Sequence, residues 1–173
     1  ARNRKISGKV AQIPEKERLL KDIVRNQKIK ESLYVLLLQK REEALINYRK
    51  ALEIYREIHG ENHSNTSDCY EGIGNVVKDQ GRYDDAFIGY GKALAIRINL
   101  FGKHHLHTAF SYYNIGVVLN KKCKYDEAIP FFLKAKAIYT RELGAEHPKT
   151  VQTNVYMNLC QKRMDPSNTA VQL

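Results

Sequence analysis

The sequence predicts an all-α fold, a short helical solenoid extended by one long amino-terminal helix, and three observations predict it. A loop pattern recurs every 42 residues: Gly60-Glu61-Asn62-His63, Gly102-Lys103-His104-His105 and Gly144-Ala145-Glu146-His147. Between the loops, small and aromatic residues keep the same phase: Ala44, Ala86 and Ala128; Tyr48, Tyr90 and Phe132; Ala51, Ala93 and Ala135; Thr66, Thr108 and Thr150. Finally, nothing between Pro14 and His59 would break a helix. Self-similarity of this length marks stacked helical units, none of which buries its apolar face alone.

The first element is a continuous helix from Pro14 to His59, about 45 residues and near 67 Å at 1.5 Å per residue. Proline suits the first helical turn, and Glu15 and Glu17 follow at the positive end of the helix dipole. In register with the repeat, Gln39 and Arg41 fall where Gly81 and Tyr83 fall later, so the expected interhelix turn is missing. The next helix runs from Ser64 to about Gln80, with Tyr70, Ile73, Gly74 and Val77 at helical spacing. Gly81 supplies the left-handed position that ends it. A partner helix from Tyr83 to about Leu100 turns Ala86, Tyr90, Ala93, Leu94 and Ile96 inward. The second unit repeats this with Tyr112, Ile115, Gly116, Tyr125, Ala128, Phe132 and Ala135; Cys123 stands where Gly81 stood. A last helix spans about Lys149 to Met164, stopped by Pro166. The expected core includes Tyr90, Ile96, Tyr112, Ile115, Phe132 and Ile138.

Charge is uneven. Of a net +10, residues 1–50 carry +8 (14 basic, 6 acidic) and residues 51–173 carry +2 (15 basic, 13 acidic). A basic amino-terminal third can attract nucleic acid or an anionic surface. Acids are interleaved with the lysines, however, and no aromatic platform accompanies them, so a solvated helix face is expected and nucleic acid is disfavoured. No run approaches the roughly 18 apolar residues of a membrane span. No signal peptide follows the basic start. Three cysteines without CxxC spacing suit reduced thiols and a cytoplasmic protein.

Catalytic constellations are absent: there is no Gly-rich phosphate loop, GxSxG or HExxH. Gly72-Ile73-Gly74 lies in a helix with no preceding strand. His104, His105 and His107 cluster, but His63, His105 and His147 are features of the repeated loop, and a structural zinc needs four ligands. Cys69 beside His63 lacks an orienting group and an oxyanion site. The expectation is no enzyme, no metal and no cofactor.

The in-phase pattern resembles the tetratricopeptide repeat: an aromatic, an aliphatic and Gly, then Gly-x-Tyr-x-x-Ala, an aromatic four later and Ala three after that. The 42-residue unit, with "KALAIRINLFGKHH" and "KAKAIYTRELGAEHPKT" closing the second helices, is similar to the kinesin light chain subtype over residues 42–164. Residues 5–43 resemble a different family, the periplasmic coiled-coil helix of bacterial polysaccharide co-polymerases (chain-length determinants), on Pro14, Glu17, Arg25, Gln27 and Leu33–Glu43 ("LYVLLLQKREE"). The two resemblances meet in phase at Arg41-Glu42-Glu43-Ala44, which looks like an engineered helical fusion; a natural mosaic with an unusual amino-terminal helix is the alternative. The implied organisation is a coiled-coil-type helix over 1–43, a repeat array over 44–164 and a tail over 165–173.

The tetratricopeptide resemblance implies that the first helix of each unit lines a groove for an extended peptide. Its candidate residues are Glu71, Asn75 and Lys78, with Asp68 and Asp79; then Tyr113, Asn120 and Lys121, with Phe110 and Val117; then Val155 and Lys162, with Gln152, Leu159 and Arg163. Asn75 holds the position used against a ligand backbone, while Val117 and Leu159 replace it later.

The expected function is a non-enzymatic protein-interaction scaffold. The alternatives are an assembly part with no natural ligand and a nucleic-acid or anionic-surface binder. Self-association is expected through the long helix, whose Leu20, Ile23, Val24, Leu33, Tyr34, Leu37 and Leu38 have no partner in sequence, Gln27, Lys30 and Arg41 interrupting the stripe; the alternative is that the helix caps its own solenoid. Residues 33–38 are apolar almost all round, which marks a buried helix. Tyr70 and Ile73 are expected to show an uncovered flank as well.

Overall fold

A computed structural model describes residues 13–164, with side chains from Glu15 onward. The basic start, the side chain of Pro14, and the tail with Pro166 lie outside the described residues. Within them every regular element is a helix: α1 (Ile13–His59), α2 (Ser64–Asp79), α3 (Tyr83–Phe101), α4 (Leu106–Lys121), α5 (Tyr125–Leu143) and α6 (Pro148–Met164). The bounds follow the expected ones to within a residue or two. No helix among the described residues is long and apolar enough to cross a membrane.

Contacts divide the chain into two units, Ala1–Glu43 and Ala44–Leu173. In the first, the apolar side chains of α1 from Leu19 to Leu38 are exposed. In the second, residues 44–59 of α1 and helices α2–α6 stack as the repeat array.

The recurrent loop is a capping device. Each loop glycine has positive φ, at 80° for Gly60, 84° for Gly102 and 95° for Gly144. The three in-phase histidines stand at the next helix's entrance, where Nδ1 of His63, His105 and His147 accepts the backbone N–H two residues on, each at 3.2 Å. Such caps satisfy otherwise orphaned helix N–H groups. The in-phase threonines close the loop from inside: Thr66, Thr108 and Thr150 donate through Oγ1 to the carbonyls of Gly60, Gly102 and Gly144 at 3.1, 2.8 and 2.8 Å. The 42-residue histidine pattern thus records helix entry. No group of three or more His, Cys, Asp or Glu able to hold a metal occurs among the described residues.

Close helix approach depends on glycine. The Tyr90 ring lies over Gly74 and the Phe132 ring over Gly116, where an added Cβ would come within 2.8 Å of the ring in either case. The anticipated core forms: Tyr90, Ile96, Tyr112, Ile115, Phe132 and Ile138 are all buried. Tyr70 and Ile73 depart from expectation. Tyr70 is buried over Ala93 and Ile96, with Leu52 packed against the cluster, and its hydroxyl donates to Glu61 at 2.8 Å; Ile73 is partly buried against the main core. The open flank lies one helix earlier. Ile54 of α1 is 52% exposed, whereas the in-phase Ile96 and Ile138 are each 4% exposed. Tyr48 is 40% exposed, against 1% for Tyr90 and 0% for Phe132.

Candidate ligand-binding groove

The groove face is built from the first helices of successive units, α2, α4 and α6, with second-helix side chains reaching between them. Position 97 is the clearest case. Arg97 projects from α3 and is almost wholly buried. Its Nη2 donates to Asp68 Oδ1 at 2.8 Å, and its Nη1 pairs with the Glu71 carboxylate and donates to Ser111 Oγ at 2.9 Å. One guanidinium therefore ties α2 to α4. Burial raises the Glu71 carboxyl above the ordinary carboxylate value, and Arg97 partly offsets that. Forty-two residues later Tyr139 of α5 takes the same slot between α4 and α6. It is buried, yet its hydroxyl has no hydrogen-bond partner.

The candidate residues fall into three groups. Asp68, Asp79, Lys121, Gln152, Val155, Lys162 and Arg163 are exposed. Glu71, Asn75, Lys78, Phe110, Tyr113 and Leu159 are half-buried. Two are withdrawn from the surface: Val117 joins the core, and Asn120 is 5% exposed with its Oδ1 accepting from the Cys160 thiol at 3.6 Å. Asn120 ends α4 where α6 packs across it, so it serves the helix contact and is not accessible to a groove ligand. Asn75 is partly committed as well, since its Oδ1 accepts the Tyr90 hydroxyl at 2.7 Å.

Two hollows open on this face. One, about 480 Å³, is lined by Tyr48, Ala51 and Tyr55 of α1 and by Asn65, Asp68, Glu71 and Asn75 of α2, among others. The other, about 50 Å³, is lined by Phe110, Tyr113, Tyr139, Lys149 and Gln152. Lys149 Nζ sits 5.3 Å from the Phe110 ring centre and 5.9 Å from that of Tyr139. Tyr113 packs edge-on against Phe132 and Tyr156. The face thus grades from carboxylates on α2, through aromatic rings on α4, to ammonium groups on α6. Arg97, Tyr139 and Lys149 were not singled out from sequence; the phase of Tyr55, Arg97 and Tyr139 was the available signal.

A sequence model of the tetratricopeptide repeat matches residues 33–97, 71–122 and 108–157. Together these overlapping matches take in most of the chain. The chain belongs to the tetratricopeptide repeat family. Among solved structures, that of BtubC (BKLC) from P. vanneervenii is similar, with a TM-score of 0.67 and 23% sequence identity over 72% of this chain and 50% of that one. The chain spans half the length of BtubC, and at this identity the likeness concerns the fold. No curated protein matches the sequence. The exposed α1 residues named for self-association, Leu20, Ile23, Val24, Leu33, Tyr34, Leu37 and Leu38, lie apart from the groove-lining side chains in sequence; residues 33–38 fall within the first family match.

Proposed function

We propose that this repeat protein is a non-enzymatic interaction scaffold that takes an extended peptide along the α2–α4–α6 face and self-associates through α1. The observation that carries the groove reading is the row of exposed Asp68, Gln152 and Val155 with half-buried Glu71 and Tyr113 between them, drawn from three successive first helices. A ligand lying across them meets carboxylates first, an aromatic and aliphatic middle next, and Lys149 and Lys162 last. Repeat arrays of this kind work by presenting such extended surfaces. Kinesin-light-chain-type repeats fit the 42-residue unit, and the division of contacts at Glu43 and Ala44 supports reading the chain as two joined helical parts. Three free cysteines suit a reducing, cytoplasmic setting.

Self-association is supported by the exposed apolar run on α1. Each large apolar side chain left in water forfeits roughly 1.5–3 kcal/mol of burial. Selection from a displayed library of extended peptides on the full chain tests the groove reading. Enrichment of a shared motif that is lost on Tyr113→Ala supports it. No enrichment at micromolar peptide, with the chain folded, favours an assembly part that has no ligand.

A further inference from the structure

We infer that a second copy of the chain supplies the leading helix that the first repeat lacks, its α1 lying antiparallel along α1. This rests on the self-association proposed above and names the surface used. The chain contains its own control. In the two complete repeats, Tyr70 covers Ala93 and Ile96, and Tyr112 covers Ala135 and Ile138. The equivalent pair in the first repeat is Ala51 and Ile54. No separate leading helix precedes them, because α1 runs without a break from Ile13. Ile54 and Tyr48 are therefore exposed where their in-phase counterparts Ile96 and Tyr90 are buried, and Ile58 is exposed beside them. Tyr48, Ala51 and Tyr55 also form the α1 wall of the larger hollow. This is a face patterned for burial and left open.

The occupant follows from α1 itself. Ile29, Leu33 and Leu36 are exposed and spaced four and three residues apart. Ala51, Ile54 and Ile58 are spaced three and four apart, the mirror order. With α1 unbroken from Ile13 to His59, a twofold antiparallel pairing of two copies, centred between residues 43 and 44, brings the two triplets together. It sets Leu33 opposite Ile54, Leu36 opposite Ala51 and Ile29 opposite Ile58. The same register puts Lys30 opposite Glu57, a charge match, and the small Ser32 opposite Tyr55. Twofold symmetry makes every pair twice, as in the commonest class of oligomer. An antiparallel partner also reproduces the sense in which short loops pair successive helices within a repeat.

Light scattering and sedimentation on the full chain at micromolar concentration test the pairing. The wild-type chain is expected to be a dimer. Ile54→Glu is expected to raise its dissociation constant about tenfold or more. Lys30→Glu is expected to weaken it, and adding Glu57→Lys to restore it, because opposite charges face again. In a Cys123→Ser background, Leu36→Cys with Ala51→Cys is expected to form a disulfide-linked dimer on mild oxidation. Both charge positions are solvent-exposed, so the swap remains informative even if Ile54→Glu disturbs folding, which circular dichroism monitors. A monomeric wild type overturns the self-association reading and this inference together. A dimer indifferent to Ile54→Glu, with no charge rescue and no cross-link, overturns this inference alone and leaves association through Leu20, Ile23 and Val24 standing.

Discussion

Arg97 of α3 and Asp68 of α2 form a 2.8 Å ion pair in which the arginine side chain is 4% exposed and the aspartate 63%. The asymmetry sets what each is worth. Arg97 also neutralises the half-buried Glu71, so Arg97→Met strands a buried carboxylate and is expected to cost about 3–5 kcal/mol. Asp68→Asn removes only the solvated partner and is expected to cost under about 1 kcal/mol. Urea denaturation of the two variants checks the order, and equal losses would contradict it.

Two glycines of α3 should respond to alanine with opposite signs. A Cβ at Gly89 would lie 3.1 Å from the Tyr70 carbonyl oxygen and 3.3 Å from the Gly74 Cα, both backbone atoms of α2. Gly89→Ala should therefore lose roughly 1–3 kcal/mol through overpacking. A Cβ at Gly91 meets nothing within 4 Å, and Gly91→Ala should gain up to about 1 kcal/mol from helix propensity. Thermal unfolding of the pair decides.

Cys123 holds φ at 59°, the left-handed region, where the preceding repeat has Gly81 at 80°. A side chain there costs roughly 1–2 kcal/mol. Because Cys123 is exposed, little packing is lost on its removal. Cys123→Gly is expected to raise the unfolding midpoint, and a lower midpoint would show that the thiol contributes packing.

Tyr139 is buried with a hydroxyl that lacks a partner. Tyr139→Phe should be neutral or stabilising by about 1 kcal/mol, since an unmet buried hydroxyl is costly. Burial also raises its pKa above the ordinary 10.0. Above pH 10 the unfolded chain releases this proton while the folded chain retains it, so stability falls as pH rises. The substitution should flatten that alkaline limb. An unchanged slope between pH 10 and 11 would contradict the assignment.

The fold was legible because period, phase and breakers all point one way. Tyr90 over Gly74 and Phe132 over Gly116 are written into the spacing, and the missing turn at Gln39 announced the unbroken α1. The groove was legible only in part. Pattern assigns a residue to a helix face but not to a partner, so Asn120 read as surface although α6 covers it. Position 97 was hidden for another reason: Tyr55, Arg97 and Tyr139 share a slot but not a chemistry, and only the neighbours on α2 and α4 reveal that arginine there answers two carboxylates. Tyr70 is covered because Leu52, on the preceding helix, packs against its cluster across the repeat boundary, a contact that spacing alone does not show.

The claim of a groove-presenting scaffold rests most directly on where a ligand binds. Fluorescence anisotropy of a library-selected peptide should show binding to the wild type. Affinity should fall about tenfold or more for Tyr113→Ala and for Val155→Asp. It should be unchanged for Leu133→Asp, an exposed position on the second helix α5. Equal affinity for all four proteins, or loss only with Leu133→Asp, would contradict the account.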